Sequence, residues 1–106
     1  MLFTETALFT KRVRELLDDD TYRLLQVRLM VSPEAGDLIE GTGGLRKLRV
    51  AANGHGKRGG ARVIYYHFIS RSQIAMLYIF GKNEQPDLSS EQRKALRSII
   101  EHWRRA

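Results

Sequence analysis

Ala61-Arg62-Val63-Ile64-Tyr65-Tyr66-His67-Phe68-Ile69-Ser70-Arg71-Ser72-Gln73-Ile74-Ala75-Met76-Leu77-Tyr78-Ile79-Phe80 sets the fold class of this chain. Two runs rich in β-branched and aromatic residues, Ala61 to Ile69 and Gln73 to Phe80, flank a polar turn at Ser70 to Ser72. That is the pattern of two long strands joined by a tight connection. A strand with one solvated face alternates polar with apolar, and these runs hardly do. They read as central strands, covered on both faces. Leu45 to Ala51 reads as a third strand just upstream, with Leu48 and Val50 projecting to one face and Lys47 and Arg49 to the other.

Helices flank this sheet in the sequence. Leu2 to Thr4 reads as a short strand, and from Thr6 the residues Phe9, Val13, Leu16 and Leu17 fall on one face of a helix. Asp18-Asp19-Asp20 interrupts it. Its carboxylates suit the positive N-terminus of a second helix, which Asp20 or Thr21 would cap. Tyr22, Leu25 and Leu29 share a face of that helix, and Ser32-Pro33 ends it. The two helices predict a helical hairpin. Gly36 to Gly44 reads as loop, and so does Gly81 to Leu88. Ser89-x-x-Gln92 is a capping box that opens a last helix with an apolar stripe at Leu96, Ile99, Ile100 and Trp103. The order β-α-α-β-β-β-α predicts an α+β fold, an antiparallel meander sheet packed on one side by helices, as a single domain over residues 1–106.

The charge is lopsided. From Gly41 to Asn83 there is no acidic residue but eight cations: Arg46, Lys47, Arg49, Lys57, Arg58, Arg62, Arg71 and Lys82. Residues 1–40 carry a net −3 and residues 84–106 a net +1, so the middle supplies the whole excess behind the overall +6. A positive field of this kind recruits a polyanion, RNA or DNA above all, or an acidic protein. The 42% hydrophobic and 28% charged content is that of a folded chain, which excludes a disordered basic tail. Without cysteine there is no disulfide or thiol chemistry, in keeping with a reducing cytoplasm. No apolar run is long enough for a membrane span, and the N-terminus lacks a signal-peptide pattern.

Gly54-His55-Gly56-Lys57-Arg58-Gly59 satisfies G-x-G-x-x-G but leads into another strand rather than a helix, so it does not read as a dinucleotide site. It reads as a basic loop in which Lys57 and Arg58 contact phosphates, with His55 able to titrate near neutrality beside them. His55, His67 and His102 are scattered over different elements, which predicts no metal site and no cofactor. Lys47 and Arg49 on one strand, Arg62 on the next, and Lys82 with Asn83 and Glu84 at the end of the third predict a cationic cluster. Such a cluster costs mutual repulsion unless a polyanion uses it.

At these residues the chain resembles the RelE/HigB group of toxins from bacterial toxin–antitoxin pairs, and in particular its HigB-like branch. The segments that carry the resemblance are Gly41-Thr-Gly-Gly-Leu-Arg-Lys-Leu-Arg-Val50, Gly56-Lys-Arg-Gly-Gly-Ala-Arg-Val-Ile-Tyr-Tyr66 and Leu77-Tyr-Ile-Phe-Gly-Lys-Asn-Glu-Gln-Pro-Asp-Leu88. The resemblance implies a small cytoplasmic ribonuclease that cuts mRNA in the decoding site of the 30S ribosomal subunit, and a cognate antitoxin, often with a helix-turn-helix. It implies that Lys47 and Arg49 stand where relatives have a Lys-x-Lys pair and that Arg62 matches the arginine after the glycine loop. Asn83 and Ser89 replace a family arginine and tyrosine, and Lys82-Asn83-Glu84 looks like the HigB-like variant. The expected reaction centre is therefore Lys47, Arg49, Arg62, Lys82, Asn83 and Glu84, with Arg46, His55, Lys57 and Arg58 docking the RNA.

These residue types suit metal-independent RNA cleavage, which needs a deprotonated 2′-hydroxyl, a stabilised phosphorane-like charge and a protonated 5′-oxygen. Arg49 and Arg62 can hold the scissile phosphate as permanent bidentate cations. Lys47 or Lys82 can serve as acid or base, with Glu84, the only carboxylate expected nearby, as a rival base or an ion-pair partner of Lys82 or Arg62. Two other readings compete: a non-catalytic toxin of the same fold that binds DNA gyrase, as in the ParE group, and a plain RNA-binding module.

Overall fold

The computed structural model describes residues 1–51 and 60–105. Its elements run β1 (Leu2–Glu5), α1 (Ala7–Leu16), α2 (Asp19–Val31), β2 (Asp37–Leu38), β3 (Arg46–Val50), β4 (Ala61–Phe68), β5 (Gln73–Gly81) and α3 (Ser90–Arg105), with a single 3-10 turn at Ile69–Arg71 between β4 and β5. The basic loop predicted around His55, Lys57 and Arg58 lies outside the described residues.

β3, β4 and β5 form the antiparallel meander read from the sequence, and two edge strands extend it to the order β1-β5-β4-β3-β2. β1 joins parallel to β5, so the sheet is mixed. β2, only two residues long, lies within the segment expected to be loop and pairs Asp37 with Lys47 and Leu38 with Arg46. Nothing in its local sequence marks it as a strand; its pairing to β3 makes it one.

Helices cover both faces of the sheet, not the one face expected. Phe9, Val13 and Leu17 of the first helix and its end, with Leu25 and Leu29 of α2, pack on Leu48, Val63, Tyr65, Ile74, Met76 and Ile79. On the opposite face, Leu96 and Ile100 of α3 pack with Leu88 on Ile64, Phe68, Ala75, Leu77 and Phe80. The continuous apolar runs of β4 and β5 already implied two covers. A bulge accommodates them: Ile64 pairs with Tyr78 and Tyr65 with Met76, which leaves Leu77 as the extra residue.

Caps explain where the helices start. The Thr6 hydroxyl accepts from Phe9 N–H at 3.0 Å and donates to Leu77 O at 2.8 Å, so one side chain caps α1 and anchors it to β5. Asp18, not Asp20 or Thr21, caps α2 by accepting from Thr21 N–H at 2.8 Å. The break falls earlier than expected because Leu17 is already extended. The predicted capping box of α3 forms in full: Gln92 N–H donates to Ser89 Oγ at 3.1 Å and Ser89 N–H to Gln92 Oε1 at 2.9 Å.

β1 covers only the first part of β5's outer edge. Beyond it, side chains take the place of a strand. Thr6 meets Leu77 O, Arg12 Nε donates to Ile79 O at 2.8 Å, and Glu84 Oε1 accepts from Gly81 N–H at 2.7 Å. Arg12 and Glu84 also form an ion pair with each other. The row of edge groups that would otherwise invite another strand is thereby closed.

Candidate active site

Cross-strand pairing decides which cations share a face. Lys47 pairs with Ile64, Arg49 with Arg62, and Arg62 in turn with Phe80. Residues directly opposite in an antiparallel pair point the same way, so Lys47, Arg49 and Arg62 lie together on the α3 face of the sheet. Arg49 is exposed, whereas Arg62 is only 8% exposed. Two arginines directly opposite, with Cα atoms about 4.5–5.5 Å apart, repel one another, and an anion bound between them relieves that repulsion. Lys82 begins the loop after β5 at the border of this face, its N–H donating to Gly60 O at 3.0 Å; its side chain and that of Asn83 are exposed.

Arg46, the expected docking cation of the same strand, faces the other way with Leu48. Its guanidinium donates to Gly36 O at 2.8 Å and Glu34 O at 3.4 Å, so it fastens the link between α2 and β2. His67, on β4, lines a cavity with Arg28, Ser32 and Glu34 on the helical-hairpin side, and His102 is exposed on α3.

Glu84 stands away from the cations of β3. Strand order puts β4 and β5 between them, two spacings of about 4.8 Å each, and Glu84 is engaged at the far edge of β5 with Arg12 and Gly81. The carboxylate beside Lys47 is instead Asp87, Oδ1 to Nζ 3.1 Å, with Arg93 Nη2 at 3.7 Å from Oδ2. This corrects the expectation that Glu84 is the only carboxylate nearby. The loop after β5 crosses back over the sheet before α3 begins, and that return path delivers Asp87 to Lys47. Burial pushes the Asp87 carboxyl up, but the Leu88 N–H, the Lys47 ammonium and the Arg93 guanidinium outweigh it and hold the group below the ordinary 3.8. Asp87, Arg93 and Arg12 were invisible as site neighbours in the sequence, since a contact across 40 residues between Lys47 and Asp87 leaves no local pattern.

A mixed five-stranded sheet, with a helical hairpin on one face and a C-terminal helix on the other, is an architecture shared with several solved structures. The isolated E. coli RelE toxin shares this fold with a TM-score of 0.57 at 17% identity, covering 92% of this chain and 97% of that one. The toxin in the intact E. coli RelBE toxin–antitoxin complex matches with a TM-score of 0.57 at 17% identity, covering 76% and 94%. A double arginine-to-alanine mutant of E. coli RelE in the free state matches with a TM-score of 0.57 at 16% identity, covering 80% and 86%. Residues 6–106 match the family described as the RelE toxin of the RelE/RelB toxin–antitoxin system. The chain belongs to that family: it is the toxin component of a toxin–antitoxin pair, a class that acts by ribosome-dependent mRNA cleavage.

Proposed function

We propose that this chain cuts mRNA with its own residues, as a metal-independent endoribonuclease centred on Lys47, Arg49 and Arg62 with Lys82 at the border. The observation that carries the reading is the register that sets Arg49 opposite Arg62 beside Lys47, three cations from two strands on one face. The RNA 2′-oxygen attacks phosphorus and the bond to the 5′-oxygen breaks. The 2′-hydroxyl proton passes to a base and a second proton reaches the leaving oxygen, giving a 2′,3′-cyclic phosphate and a 5′-hydroxyl. Arg49 and Arg62 neutralise the charge that develops on the phosphate oxygens. Lys47 and Lys82 supply the proton-transfer pair. Glu84 serves this centre indirectly, by fixing the start of the loop that carries Lys82 and Asn83. Lys57, Arg58 and His55 dock the RNA strand, and Arg46 adds to the field rather than touching phosphate.

A proton-transfer set made of lysines benefits from substrate held rigidly in place, which supports action on mRNA in the 30S decoding site. The partner that neutralises the toxin is a cognate antitoxin, one carrying a helix-turn-helix, and the place of action is the cytoplasm. Among the described residues no helix is long and apolar enough to cross a membrane. The Lys82-Asn83-Glu84 sequence supports the HigB-like branch.

Induction in bacteria tests the assignment. The wild-type chain is expected to arrest growth and leave translated mRNA with 5′-hydroxyl ends. Lys47→Ala, Arg62→Ala and Lys82→Ala should each lose most of both effects. If all three still arrest growth and cut mRNA, the site is wrong. DNA damage without mRNA cleavage would replace the reading by gyrase binding.

A further inference from the structure

The turn between β5 and α3 ends on a carboxylate set between two cations from different elements. Asp87 Oδ1 accepts from Lys47 Nζ at 3.1 Å and from Leu88 N–H at 2.8 Å, while Oδ2 lies 3.7 Å from Arg93 Nη2. Lys47 comes from β3 and Arg93 from the first turn of α3. The backbone of Asp87 is fixed as well. Gln85 Nε2 donates to Asp87 O at 2.7 Å and to Gln92 Oε1 at 2.8 Å, which ties the turn to the capping box of α3. Asp87 is thus held at its backbone, at its own carboxylate and through the helix that follows.

Arg93 is under-used by these contacts. Its approach to Asp87 is longer than a hydrogen bond, and its Nε is buried with no hydrogen-bond partner among the described residues. The Nε lies too deep to meet a ligand from solvent, but the side chain as a whole is 42% exposed, so the outer nitrogens of the guanidinium can take a phosphate oxygen beside the cationic strand face. It shares Asp87 with Lys47, whose neighbours on the same face are Arg49 and Arg62. Four cations so close repel one another, and long side chains relieve that repulsion by splaying apart. One carboxylate between two of them keeps both in place and still leaves the cluster positive.

We propose that Asp87 is a positioning residue: by bridging Lys47 and Arg93 it aims both at one phosphate of the RNA strand, and Arg93 is a further RNA-binding residue of the site. The inference rests on the endoribonuclease reading above. It differs in sign from the other role open to a carboxylate here, that of a resting counter-ion which RNA phosphate expels. A counter-ion slows the enzyme, so removing its charge speeds cleavage. A positioning group does the reverse.

Purified toxin, ribosomes programmed with mRNA, and two measurements separate the cases: binding across a salt series, and single-turnover cleavage at saturating ribosomes. Asp87→Asn keeps an oxygen for the Leu88 N–H and raises the net charge by one. It is expected to bind ribosomes as tightly as wild type or more so, yet to cleave on the order of 10- to 100-fold more slowly. Asp87→Glu restores the charge and should recover part of the rate. Arg93→Ala should weaken binding and reduce the slope of log affinity against log salt by about 1. Cleavage by Asp87→Asn at the wild-type rate or faster overturns the proposal, as does loss of binding and cleavage together with a lowered melting temperature. An unchanged salt slope in Arg93→Ala removes that residue from the site. A wild-type chain that leaves mRNA intact overturns the endoribonuclease reading and this inference with it, whereas normal wild-type cleavage with an unaffected Asp87→Asn sinks this inference alone.

Discussion

Tyr65 shows how much of the architecture rests on one polar atom. The ring is fully buried, and its hydroxyl donates to Pro33 O at 2.8 Å while accepting from Gly36 N–H at 2.9 Å. It holds the chain leaving α2 against the sheet just before β2. Gly36 has to be glycine there, because a Cβ would come within 2.9 Å of both Lys47 O and the Tyr65 ring. Tyr65→Phe leaves a buried N–H and a carbonyl without their partner and is expected to cost about 1–3 kcal/mol. The denaturation midpoint should fall with the m-value unchanged. At this scale the sequence was legible wherever a strand's two-residue period applies. Lys47 and Arg49 sit on one face and Leu48 on the other, as alternation requires. The partners of those residues were not legible. Asp87 meets Lys47, and Arg12 meets Glu84, only because loops return across the sheet.

Local chemistry marked the starts of elements more clearly than their neighbours. The capping box Ser89-x-x-Gln92 formed as read, because both of its bonds lie within four residues. Ser89→Ala removes the oxygen that caps Gln92 N–H and should cost about 1 kcal/mol, seen as a lower melting temperature. The cost matters beyond α3, since the same turn carries Asp87 and the same helix carries Arg93. β2 could not be read from two residues, Asp37 and Leu38, with no strand propensity of their own. The second helical cover was readable in principle: β4 and β5 lack a polar face, and α3 carries an apolar stripe with nowhere else to go. The N-cap of α2 went to Asp18 because the extended backbone of Leu17 sets the break, which the run of three aspartates hides.

For the molecule as a whole, the titrating groups predict where in pH it is stable. Asp87 is held below its ordinary value by the balance given above, and Asp18 by the side-chain and backbone hydrogen bonds of Thr21. A carboxyl lowered in the folded state stabilises above its unfolded value, so that contribution is present above about pH 4 and lost as pH falls through the folded values. Tyr22 is raised by burial and by its hydrogen bond and charge contact with Glu5, and Tyr65 by burial. A phenol raised in the folded state stays protonated there while the unfolded chain already ionises, so rising pH favours the unfolded chain. The phenol's native interactions are fully present below the unfolded value near pH 10 and are lost as pH climbs through the folded value. Thermal melts across pH should therefore show a plateau between about pH 4 and pH 10 that falls on both sides, with the alkaline fall smaller in Tyr65→Phe. The pairing of β1 with β5 has a consequence in time. Leu2 lines up with Gln73, so β1 cannot find its neighbour until the chain has been made as far as β5. Such non-local pairing delays folding, and synthesis proceeds from the N-terminus. Lys82, Asp87 and α3 follow β5, so the cationic strand face gains its helical cover and the carboxylate beside Lys47 only after the last strand of the sheet has been made.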